Sequence, residues 1–173
     1  MNGQPTFDFQ WLSPLGIAAI IFLIHGVMVI VAALAAFWLY RRPGGTKRYA
    51  GRGGLLLSGR TDSAYLGRSV SEIIEENKIL TTVTDLIMKI WAGWWLSFGV
   101  FEVALVWFGV RQGLVWAFWT VVFSNLVVLA GFASVAREFI RRNVRLGFDL
   151  PPVALYALIC TPIAIVLGFI GLR

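Results

Sequence analysis

Four apolar stretches decide what this chain can fold into. A bilayer's hydrocarbon core of about 30 Å takes about 20 helical residues to cross. The stretches from Leu15 to Tyr40, Ile87 to Val110, Leu114 to Ala136 and Pro152 to Leu172 all meet that length and carry few charges. Backbone polar groups in lipid must be paired within their own segment, so each such stretch is expected to be a helix. The expected architecture is an all-α integral membrane protein: four transmembrane helices in a compact bundle plus one cytoplasmic amphipathic helix. Composition agrees, with 58% hydrophobic and 14% charged residues against roughly 45–50% and about 25% in soluble domains. At 173 residues the chain reads as one domain, too short for a large transporter unless it oligomerises. Cys160 is its only cysteine, which excludes an intramolecular disulfide.

Charge sets the expected topology. The leading MNGQPTFDFQW holds no Lys or Arg, whereas a signal peptide needs a basic n-region, so the first span is read as retained. Of the 15 basic residues, nine lie between Arg41 and Lys89 and four between Arg137 and Arg145. Basic residues collect on the cytoplasmic side. Both basic loops are therefore expected in the cytoplasm and both termini outside, in a plasma (inner) membrane.

The loop and helix from 41 to 86 divide in two. RRPGGTKRYAGRGGLLLSGRTDSAYLGR, from Arg41 to Arg68, shows no sustained period and reads as mostly irregular. GGTK lacks the first glycine and the preceding strand of a phosphate-binding loop. Arg41, Arg42, Lys47, Arg48 and Arg52 are expected to meet anionic lipid headgroups or a partner rather than nucleic acid, each cation near the surface contributing about 1 kcal/mol. From Ser69 the pattern turns helical: Ser69 and Glu72 have capping-box spacing, and Val70, Ile73, Ile74, Leu80, Val83 and Ile87 recur at helical intervals. No Gly or Pro interrupts Val70 to Trp91, so this helix either lies on the membrane surface or runs into the second span.

Within the spans, His25, Glu102 and Asn125 stand out. Intramembrane ionisable groups are costly and usually face a bundle interior. At about 1.5 Å per residue, His25 lies roughly 15 Å, Glu102 roughly 13 Å and Asn125 roughly 16 Å from the outer ends of their spans. They share one slab. Small residues, which mark close helix packing in membranes, accompany them: Ala92, Gly99 and Gly109 on the Glu102 stripe, and Ala18, Ala32 and Ala36 near His25. Thr120, Ser124, Gly131 and Ser134 lie beside Asn125, while Ala157, Thr161, Ala164, Gly168 and Gly171 stripe the fourth span. Pro162 removes a backbone donor and frees the Leu158 carbonyl, which predicts a kink and gives the Thr161 hydroxyl an acceptor.

Three functions are open to such a cluster. Glu102 and Asn125 can bond across helices as polar glue, at about 0.6 to 2 kcal/mol per contact; this is the leading reading, because no second acid extends a proton path. Alternatively Glu102 and His25 exchange a proton in a small oligomeric transporter or channel. A third reading makes His25 the axial ligand of a haem or chlorin packed by aromatics. A metal centre lacks any local ligand motif. The motifs of soluble hydrolases and dinucleotide enzymes are absent too, so no catalytic residue is assigned. The expected function is non-enzymatic: a small integral subunit or assembly partner of a larger membrane complex, contacting other subunits, or further copies of itself, and anionic lipid.

Overall fold

Helices account for all the regular structure in the computed structural model, which describes residues 9–41, 45–46, 58–145 and 150–173. In chain order they are α1 (Pro14–Tyr40), α2 (Gly59–Leu66), α3 (Val70–Glu76), α4 (Lys78–Phe108), α5 (Val115–Arg141) and α6 (Pro152–Gly171), with a 3-10 turn over Val110–Gln112. Four of them, α1, α4, α5 and α6, are long and apolar enough to cross a membrane. Arg42, Lys47, Arg48 and Arg52 lie outside the described residues.

Local chemistry sets the helix ends. Ser13 caps α1, its hydroxyl accepting from the Gly16 amide at 3.1 Å, and Pro14 follows in the first helical position, where a missing N–H costs nothing. Between α4 and α5 the chain reverses in six residues, 109–114. Gly109 closes α4 by donating to the Leu105 carbonyl at 2.8 Å, and Gly113 takes φ 73°, a left-handed conformation that glycine adopts freely. A side chain on Gly109 would collide with Cβ of Ala117, so this glycine also lets α5 start against α4.

Two expectations for the connecting segment need correction. Residues 59–66, expected to be irregular, form α2: the Ser58 hydroxyl accepts from the Thr61 amide at 3.2 Å, Asp62 sits in the first turn, and Gly67 ends the helix at φ 69°. The second concerns Ser69, which holds the N-cap position of α3 but turns its hydroxyl to Ser71 at 2.7 Å, so no capping box forms. Instead Ser63 of α2 accepts from the Val70 amide at 3.2 Å. The helical run from Val70 also breaks, at Asn77 (φ −120°, ψ 93°), whose side chain accepts from the Leu80 amide at 3.0 Å. An asparagine competes with the helix by capping it, without Gly or Pro. The helix that holds the second apolar stretch consequently begins at Lys78, nine residues before Ile87. The Thr81 hydroxyl bonds the Ile74 carbonyl at 2.8 Å and ties the two helices across the break.

The bundle is built around α1, which packs along both α4 and α6; α5 meets its neighbours less extensively. The main core lies at the end that carries the Val110–Gln112 turn, here called the turn end. Leu15, Ala18, Ala19 and Phe22 of α1 meet Val106, Val110, Ala117, Phe118, Val121, Val122 and Ala164 there. Along α1 the buried line continues through Val29 and Ala33; Ala32 is exposed and Ala36 half-buried, contrary to the stripe expected from His25. A strict seven-residue step drifts off the buried face where α1 is flanked by two helices rather than one. At the opposite, loop end, Phe139 and Val144 pack with Tyr65, Phe132, Val135 and Leu150. Tyr65 stacks on Phe139 at 4.4 Å and receives the Arg142 guanidinium on its ring at 4.6 Å. Exposed Arg68 and Glu76 pair at 2.7 Å; the Arg68 hydrogen bond first, and its charge second, hold the Glu76 carboxyl below its usual range.

On α6 the small stripe does pack. Ala157, Thr161, Ala164 and Gly168 are buried, the Phe118 ring lies directly on Gly168, and a Cβ on Gly171 would stand 2.5 Å from the Leu15 nitrogen. Pro162 sits inside α6 on an exposed face, and the helix continues past it. Thr161 is buried, but among the described residues its hydroxyl makes no bond to the Leu158 carbonyl. Gly168→Val would drive two methyl groups into the Phe118 ring. It is expected to cost about 1–3 kcal/mol in detergent unfolding titrations, with part of the loss recovered when Phe118→Leu is added.

Candidate functional site

Close approach of two backbones makes the site possible. Gly26 of α1 and Gly99 of α4 face each other: a Cβ on Gly26 would stand 3.2 Å from the Gly99 carbonyl oxygen, and one on Gly99 would stand 2.9 Å from that of Gly26. Neither position has room for a side chain, since Val103 and Ile30 close the remaining space at 2.8 Å from those same points. One residue before Gly26 and three after Gly99, His25 and Glu102 therefore meet across a narrow gap. The His25 Nδ1 lies 2.9 Å from Glu102 Oε2 and 3.2 Å from Oε1.

Asn125 closes the group from α5. Its Nδ2 donates to Glu102 Oε1 at 2.8 Å and to the Val121 carbonyl, one turn back, at 3.0 Å. Relative exposures are 2% for His25, 3% for Glu102 and 1% for Asn125. Glu102 is the hub. Its carboxyl accepts from two helices at once, and no fully buried side-chain nitrogen or oxygen among the described residues lacks a partner. Stripped of water, such a carboxyl is tolerable because donors from both sides replace the lost hydration.

Residues absent from the sequence reading complete the surroundings. The Tyr156 ring of α6 stacks on the His25 imidazole, centroids 6.2 Å apart and planes at 7°, while its hydroxyl donates to the Ile21 carbonyl at 3.1 Å. Phe98 meets the imidazole edge-on at 6.4 Å and is in turn packed by Trp95. All four long helices thus contribute to one assembly. A sequence signal existed for Tyr156, because a tyrosine hydroxyl within an apolar span needs a partner. Gly26 was legible too, as a glycine beside the only histidine.

Other polar and small residues of the long helices do not join the group. Cys160 is a free, half-buried thiol on α6, and among the described residues no three His, Cys, Asp or Glu groups are placed to hold a metal. On α5 the small-residue face beside Asn125 packs against no helix: Gly131 and Ser134 are exposed, nothing lies within 4 Å of a Cβ placed on Gly131, and Ser134 spends its hydroxyl on its own helix at Ala130 and Gly131. The cause is that α5 buries Ala117, Phe118, Val121, Val122 and Asn125 in its first half but only Phe139 thereafter.

At the loop end a second polar knot anchors the connection after α1. Asp85 of α4 accepts from both the amide, at 2.8 Å, and the hydroxyl of Thr46.

The arrangement defines a class in physical terms: an all-helical chain with four helices able to cross a membrane and a buried acid, base and amide at their centre. Compared with protein family models, curated proteins and solved structures, the chain matches none.

The hub position of Glu102 has a measurable consequence. Asn125→Ala should cost about 0.6–2 kcal/mol, as one interhelical bond does, whereas Glu102→Ala, which strands two buried partners, should cost about 3–5 kcal/mol. Unfolding in mixed micelles compares them, and equal losses would contradict the hub.

Proposed function

We propose that the chain is a non-enzymatic integral membrane subunit, or assembly partner, of a larger membrane complex, with four spans in a plasma (inner) membrane. The loop end then faces the cytoplasm and the turn end lies outside. Charge supports this orientation: among the described residues Arg41, Arg60, Arg68, Lys78, Lys89, Arg137, Arg141, Arg142 and Arg145 lie towards the loop end, and Arg111 and Arg173 towards the turn end. At the turn end Arg111 covers the rings of Trp107 and Trp11 at 4.7 and 5.9 Å, a grouping suited to the headgroup layer. Helix α3, with Val70 and Ile74 buried and Glu72, Glu75 and Glu76 exposed, serves as the amphipathic helix beneath the bundle.

One observation carries the subunit reading: the second half of α5 buries only Phe139 and leaves Gly131 and Ser134 bare. Small residues at Gly131 and Ser134 allow another transmembrane helix to approach closely, and van der Waals packing drives such association in lipid. The His25–Glu102–Asn125 group supports a structural role, since it is satisfied within itself and holds three helices at one depth. Purification in mild detergent followed by mass spectrometry should recover the chain with a second membrane protein or a second copy. Gly131→Leu combined with Ser134→Leu should lower that recovery about tenfold, the loss of roughly 1.4 kcal/mol of helix packing, with helix content unchanged. A parent protein recovered only as a monomer would end this reading.

A proton-coupled transporter or channel is the second reading. It draws on one feature: an imidazole and a carboxyl lie in hydrogen-bond contact inside the bundle, the placement that a proton-exchanging pair needs. Proteoliposomes of the parent should then show pH-driven flux and those of Glu102→Gln none; a parent without flux removes it. A haem or chlorin on His25 gains no support, because the stacked Tyr156 and edge-on Phe98 crowd a ring that is 2% exposed.

A further inference from the structure

Two cations on neighbouring helices share a cleft at the loop end. The cleft, about 420 Å³, is lined by Leu34, Phe37, Trp38 and Arg41 at the end of α1 and by Lys89 of α4. Among the described residues, neither Arg41 nor Lys89 takes part in an ion pair, whereas Arg68 pairs with Glu76 and both Arg141 and Arg142 reach Glu138. Leu34, Phe37 and Trp38 are 52%, 37% and 78% exposed, so the walls are apolar and bare.

Depth makes the combination informative. Lys89 lies about 28 Å along α4 from Phe108 at 1.5 Å per residue, nearly the thickness of a hydrocarbon core. Its ammonium stands at the inner boundary of the apolar layer, and Arg41 lies beyond it in the headgroup layer. We propose that this cleft binds one anionic glycerophospholipid, its phosphodiester held between the Arg41 guanidinium and the Lys89 ammonium and an acyl chain lying along Leu34, Phe37 and Trp38. The inference rests on the membrane-spanning reading and gives it a specific lipid partner.

The chemistry selects this occupant. Arg offers a planar fork and Lys a mobile point charge, a pairing suited to a tetrahedral phosphate. A free phosphate ion would use the two charges but leave the apolar walls wet. An acidic peptide would have to carry unpaired backbone groups to the edge of the hydrocarbon. A lipid satisfies both halves of the cleft and needs no such exposure. Snorkelling accounts for a lysine at this depth, its stem among the apolar side chains and its head among phosphates.

Native mass spectrometry of the detergent-purified protein, titrated with phosphatidylglycerol or phosphatidylcholine, tests the site. The parent should bind phosphatidylglycerol about tenfold or more tightly over phosphatidylcholine, and Arg41→Gln or Lys89→Gln should each weaken it about fivefold. The double variant should bring the two lipids within about twofold of each other. Leu34→Trp, which fills the cleft and keeps both charges, should lower occupancy by phosphatidylglycerol, while Arg141→Gln, whose cation is already engaged by Glu138, should change nothing. Equal binding of the two lipids by the parent, or a preference that survives the double variant, overturns the proposal; so does displacement of the lipid by an equal concentration of glycerol phosphate. Carbonate washing of the membranes separates the two levels of inference. Release of the chain would overturn the membrane-spanning reading itself, whereas a retained chain without lipid preference would overturn only this site.

Discussion

Removing a carboxyl group from water costs several kcal/mol unless the surroundings replace its hydration, and Glu102 imposes that requirement on the whole bundle. Its two oxygens are reached by the His25 imidazole from α1 and the Asn125 amide from α5. Each bond works only at a narrow combination of depth and helix rotation. Apolar packing alone is permissive on both counts, because one leucine surface slides readily over another. A three-way polar contact is not, so Glu102 converts a loosely specified group of apolar helices into one with a defined register. The Gly26–Gly99 crossing is the other half of this device, since a side chain at either position would hold α1 and α4 too far apart for the bond.

The features that hydropathy and residue depth can encode were legible in the sequence. Long apolar runs mark the four long helices, and counting along them places His25, Glu102 and Asn125 at a common level. What remained illegible depends on which neighbour a face meets. Ala32 and Ala36 lie near the helical stripe of His25, yet the structure buries Ala33, because α1 is flanked by both α4 and α6. Gly131 and Ser134 have the composition of a packing face and lack a packed neighbour. The break at Asn77 escaped a search for Gly and Pro because a side-chain amide terminates the helix by offering the backbone a better bond. Tyr156 was overlooked as one more aromatic among many, although its hydroxyl needed an acceptor that only another helix supplies.

The two ends of the molecule differ in how they are held. At the turn end a dense cluster centred on Phe22 and Phe118 gathers all four long helices, and a short glycine-bounded reversal joins α4 to α5. Towards the loop end α5 buries only Phe139, and the contacts are polar ties and ring contacts such as Thr46 to Asp85 and Tyr65 to Phe139. The bare face of α5 and the cation-lined cleft both belong to this second half. A rigid half beside a half with unfilled contacts suits a component that meets other molecules on one side of a membrane.

The tight reversal after Phe108 also bears on how such a chain is made. As synthesis proceeds, α1 emerges first, carrying His25. Glu102 emerges later, and the six-residue connection brings Asn125 up behind it on the next helix. A paired hairpin can therefore enter the bilayer with its acid already bonded to an amide, before α1 docks. The loop that looks like a mere connection is, on this view, what spares the carboxyl a solitary passage through lipid during biogenesis.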